Sequence, residues 1–181
     1  MGESYVIENG FAFLQQVHHL MNSGYTNYFV GHYPEVKRKK FEQIDKKIIE
    51  LYHCDYNKDK IYYRKKQGLC NVKFLRHDNM YVLLKSEGKE DIDYENEYVS
   101  VFKEPFVFKL SEGLSVEIYR NPERKLSVRL ERNCYTQIKE NLKSHLSKRN
   151  FFKATAEFNN LNGIPAWGGM IADKKVLHKV M

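Results

Sequence analysis

Four apolar residues in a row, Tyr81-Val82-Leu83-Leu84, sit between the turn triplet His77-Asp78-Asn79 and the polar Ser86. A strand with one wet face alternates apolar and polar residues. An unbroken run reads as a strand covered on both faces, hence central in its sheet. Further strands are expected around it. Residues 25–33 are rich in Tyr, Phe and Val and end at Pro34. Residues 61–66 and 69–75 read as strands joined by a tight turn at Gln67-Gly68. Strands resume at 106–110, 114–120 and 126–131, the last two joined by the turn Asn121-Pro122-Glu123-Arg124.

Helical periods separate these runs. Phe13, Leu14, Val17, Leu20 and Met21 form one stripe over 7–23, and Gly24 stands where a helix-ending glycine belongs. Phe41, Ile44, Ile48 and Leu51 share a face over 35–52. Tyr135, Ile138, Leu142 and Leu146 align over 135–148, with Asn133 as the expected N-cap. Residues 151–161 read as a short helix. After the breaker Gly163-Ile164-Pro165-Ala166-Trp167-Gly168-Gly169, residues 170–181 read as a last amphipathic one. The sum is an α+β chain with a mainly antiparallel sheet, ferredoxin-like or RRM-like, and flanking helices. Its 181 residues suit one domain over 1–162 with a C-terminal extension over 163–181.

The three cysteines are far apart and form no CxxC pair. That argues against a zinc site or a disulfide framework and for a reduced, cytoplasmic chain. No signal-peptide pattern opens the sequence, and no apolar run of membrane-spanning length occurs, so no membrane partner is expected. No metal ligand set, cofactor motif or catalytic constellation stands out.

Function is sought in charge. Thirty Lys and Arg face 23 Asp and Glu, a net +7 that favours encounter with polyanions. Lys37, Arg38, Lys39 and Lys40 open the second helix directly after a strand. Like charges there oppose the helix dipole, and a phosphate lying across that end would relieve them. Arg64, Lys65 and Lys66, with Lys73 and Arg76 on the next strand, extend the track, and Tyr62, Tyr63 and Phe74 interleave with them. Cations beside rings form a single-strand or RNA platform. The leading expectation is a non-catalytic nucleic-acid-binding accessory protein, with Lys37–40, Tyr62, Arg64–Lys66, Lys73 and Arg76 as its contact residues.

Two other readings stand beside it. His32 and His77, the latter next to Asp78, fall near strand ends and suit a small metal-independent nuclease or toxin. The acidic stretch 87–97, Trp167 and the apolar Val176, Leu177 and Val180 suit a subunit that meets a protein partner through the C-terminal extension.

Tyr28-Phe29-Val30 running into Lys37-Arg38-Lys39-Lys40-Phe41, a helix, and then Met80-Tyr81-Val82-Leu83-Leu84 resembles the layout of single-tyrosine HUH transposases. The resemblance implies a ferredoxin-like fold and hairpin or single-stranded DNA as substrate, with Tyr135 nearest to the family's nucleophile. Where that family carries a histidine pair, this strand has Met80 and Val82 around Tyr81, so metal-dependent cleavage does not carry over. The chain also resembles small proteins of bacterial mobile elements, which implies a place in a mobile-element or defence system.

Overall fold

The structure is a computed structural model that describes residues 5–91 and 96–181. The chain forms two compact units, Met1–Glu104 and Pro105–Met181. Residues 163–181, read from the sequence as a C-terminal extension, fall within the second unit.

In the first unit, α1 (Gly10–Asn22) leads into β1 (Asn27–His32). Asn9 caps α1 by accepting from the Ala12 amide, and Gly24 follows it at φ 99°, the left-handed conformation that suits glycine. A 3-10 stretch, Glu35–Lys40, precedes α2 (Phe41–Leu51); then come α3 (Lys58–Lys66), the hairpin β2 (Val72–His77) and β3 (Met80–Lys85), and the short β4 (Val99–Ser100). The sheet runs β2-β3-β1-β4, and every pairing is antiparallel. β3 and β1 are its interior strands, and β2 and β4 its edges. β3 lies inside it, as the four-residue apolar run requires, with Val82, Leu83 and Leu84 fully buried.

Both faces are covered. Phe29, Leu83 and Phe74 form one cross-strand row, and Tyr52, Cys54, Ile48 and Ile49 pack on that side. α1 lies against β2 and β3, burying Phe13, Leu14, Val17 and Met21, and Phe13 meets the His77 ring at 5.5 Å. At Gly31 a Cβ would overlap the Tyr81 ring, so only glycine lets that ring lie across β1.

One expected strand is a helix. Residues 61–66 lie within α3, which Asn57 caps by accepting from the Lys60 amide at 2.8 Å. β2 starts later than expected, at Val72. The second-helix stripe also differs. Leu51 is exposed, whereas Asp45 is buried beside Phe41 and bonded to Arg76.

The second unit is a meander, β5 (Phe106–Ser111), β6 (Leu114–Arg120) and β7 (Leu126–Leu130), followed by α4 (Arg132–Ser147), α5 (Phe151–Asn159) and α6 (Gly168–His178). Phe106, Ile118 and Val128 form one buried row, and Phe108, Val116 and Leu130 the next. α4 packs on β6 and on α5. Its cap is Glu131, which accepts from the Asn133 and Cys134 amides, in place of the expected Asn133. α6 runs beside β7. There the Asp173 carboxylate accepts the Leu130 amide at 2.9 Å, while Met170 and Leu177 are fully buried. Among the described residues no helix is long and apolar enough to cross a membrane.

Candidate nucleic-acid interfaces

The expected basic track divides into three parts. Lys37, Arg38, Lys39 and Lys40 are all exposed on the 3-10 stretch that leaves β1 after His32. Arg38 is tied to Glu35 at 3.0 Å and to Asp78 at 2.8 Å. Lys37, Lys39 and Lys40 have no carboxylate partner among the described residues.

α3 feeds the opposite end of the sheet. Its C-terminus turns through Gly68 into the end where Val72 pairs with Lys85, and Lys85 with Asn27. The 3-10 stretch leaves from the end where His77 pairs with Met80, and Met80 with His32. Strands of this length hold their ends about 17 Å apart. The two basic groups therefore do not merge into one track.

Between them the bridging cations are turned inward. Arg76, 8% exposed, donates to both Asp45 oxygens and to the Asp78 carbonyl. Tyr33 donates to the same Asp45 at 2.8 Å, and burial followed by that bond pushes its phenol far up, so it stays protonated. Arg64 is the buried side chain of α3. It donates to Asn71, to the Cys70 carbonyl and, through two nitrogens at 2.6 Å each, to Asp91. These bonds hold the Asp91 carboxyl below its usual range. Arg64 and Arg76 are thus structural, which corrects their expected phosphate role. Lys73 is half-buried on β2, and Phe74, 1% exposed, offers no ring to a base.

What remains of that group is the outer side of α3. Tyr62 and Tyr63 are 55% and 63% exposed. Lys66 stands over the Tyr62 ring at 4.7 Å, and Lys65 over Tyr25 at 5.7 Å.

Of the two histidines singled out, His32 is exposed at the end of β1. The His77 ring bonds the Ile7 carbonyl and Asp78 bonds Arg38, so these neighbours do not form an orienting pair. Burial raises the Cys54 thiol to about 12, which leaves it unreactive at neutral pH. No group of three or more His, Cys, Asp or Glu among the described residues could hold a metal.

Charge itself is distributed unevenly. The 16 Lys and Arg of Met1–Glu104 are matched by 16 Asp and Glu, whereas Pro105–Met181 carries 14 against 7. The whole net charge belongs to the second unit. There the turn from α4 to α5 reads Lys148-Arg149-Asn150-Phe151-Phe152-Lys153. Phe151 is 63% exposed and Phe152 85%. Lys148, Arg149 and Lys153 are exposed too, with no carboxylate partner among the described residues. Arg149 takes a positive φ of 55°, and the Asn150 side chain caps α5 by accepting from the Lys153 amide. Sequence reasoning passed over this segment as a short helix. The available signal was the phenylalanine pair: adjacent helical residues point about 100° apart, so both rings do not fit one buried stripe.

No protein family, curated protein or solved structure matches the chain.

Proposed function

We propose that the protein is a non-catalytic binder of single-stranded nucleic acid that acts through its Pro105–Met181 unit. The observation that carries this reading is the α4–α5 turn. Two exposed phenylalanine rings there are bordered by three cations with no carboxylate partner among the described residues, within the unit that holds all of the net charge. Exposed Phe rings have no hydrogen bond to offer, so their use is an apolar face. An unpaired base presents a matching face, and its phosphates meet the flanking cations. A duplex hides those faces in its stack, which is why a single strand suits the turn better. Lys37, Lys39, Lys40 and the Tyr62–Lys66 side of α3 are secondary anion contacts in this reading.

Fluorescence anisotropy of labelled single-stranded oligonucleotides across a salt series tests it. Affinity should fall steeply with salt, because each neutralised phosphate releases condensed counterions. Replacing Phe151 and Phe152 by Ala should weaken binding by about tenfold or more, as base–ring stacking is worth about 1–3 kcal/mol per base. Equal affinity in that double variant overturns the proposal.

A further inference from the structure

Beside the basic turn lies a cleft of about 620 Å³, walled by the β5–β6 turn, α4 and α5. Its volume falls in the range of small-molecule sites, roughly 300–1,000 Å³. Ile138 and Leu161, both buried, supply apolar wall. One side carries a ladder of polar groups spaced four residues apart on α4: Gln137, Asn141 and His145. Residues at that spacing stack on one helix face. The ladder is wired together. Gln137 donates to the Asn141 amide oxygen at 2.9 Å, Asn141 donates to Glu157 at 2.8 Å, and His145 meets the other Glu157 oxygen at 3.2 Å. The chain of bonds fixes the amides in place and leaves the Gln137 carbonyl oxygen and its second amide hydrogen without a partner among the described residues.

We propose that this cleft takes one unstacked nucleobase of the strand held at the α4–α5 turn, with the Gln137 amide reading the base edge. The inference rests on the proposed function and assigns it a base pocket. Lys153 joins the two features, since it lines the cleft and also closes the basic-aromatic segment, where a phosphate between pocketed and stacked bases would lie. A side-chain amide offers one donor beside one acceptor, the pairing with which Asn and Gln grip adenine at N6 and N7. Apolar wall on one side and fixed polar groups on the other is the composition that holds a flat, hydrogen-bonding ligand.

The test uses the full chain and adenosine monophosphate as probe. Titration followed by NMR should give saturable shifts of the Gln137 and Asn141 side-chain amides. Gln137→Leu keeps the bulk of an exposed residue and removes both polar groups, and Ala156→Leu narrows the cleft from an exposed position on α5. Each should abolish those shifts and lower oligonucleotide affinity about tenfold, the worth of one base contact, with the salt slope unchanged. Wild-type protein that binds oligonucleotides but gives no saturable mononucleotide shifts overturns the pocket and leaves the proposed function standing. Variants that bind both probes like wild type also overturn it. Failure of the wild type to bind any oligonucleotide removes both.

Discussion

Arg64 and Arg76 show how one residue type is diverted from surface to scaffold. Each guanidinium is enclosed by a carboxylate and a backbone carbonyl, a forked geometry that lysine does not reproduce. Asp45→Asn should therefore cost about 3–5 kcal/mol, because it leaves the Arg76 charge buried and unpaired. Urea denaturation read against Arg76→Met/Asp45→Leu, which removes both charges, separates charge burial from packing loss. Gly31→Ala should cost about 1–3 kcal/mol by forcing the Tyr81 ring out of its place against Tyr33, Phe29 and Phe74. A thermal melt measures it. Asp173 behaves differently. Burial raises its carboxyl, so the folded chain holds that proton to higher pH than the unfolded chain does. Stability should then drop as pH rises from the ordinary carboxylate value through the raised one. Asp173→Asn, which still accepts from Leu130, should flatten that part of the pH–stability curve.

α3 is an element whose attachment depends on one ion pair. Its nine residues bury a single side chain, Arg64, while the Tyr62 and Tyr63 rings are exposed, so little apolar packing holds the helix. The Asp91 carboxyl is held low by Arg64, so its contribution is complete above the usual carboxylate range and is lost as pH falls through the depressed value. Hydrogen exchange at acid pH should show α3 amides losing protection before those of β2 and β3; simultaneous loss would contradict this. The same element marks where sequence reasoning broke down. Ile61-Tyr62-Tyr63 carries strand-forming residues, but strand preference expresses packing on a pleated surface, and none is available to these exposed rings. The Asn57 cap and the Arg64 anchor decide the outcome instead, and the anchor's partner lies 27 residues away. Where the deciding contacts are local, the sequence was legible. The β3 run, the 121–124 turn, the α1 stripe with Gly24 and the limits of β6 at 114–120 all follow from residues within one element. For the candidate site, the exposure of Lys37–Lys40 is a local matter of four adjacent charges, whereas the continuity of a basic track depends on strand order, which no local pattern carries.

Across the whole molecule, a net +7 had suggested a basic chain, and it is instead one neutral unit joined to one basic unit. Changing Lys148, Arg149 and Lys153 together to Gln should lower the slope of log affinity against log salt by about two, at about 0.7 counterions per phosphate of a single strand. The matching change at Lys37, Lys39 and Lys40 should do less, and the reverse ranking would move the interface to the first unit. The cysteines divide along the same line. Cys54 and Cys70 are sealed in the first unit, whereas Cys134 is half-buried in the second. A thiol reagent therefore keeps separate clocks on the two halves: labelling of Cys54 and Cys70 times the opening of the four-stranded unit, and Cys134 reports on the three-stranded one, with no engineered probe in either.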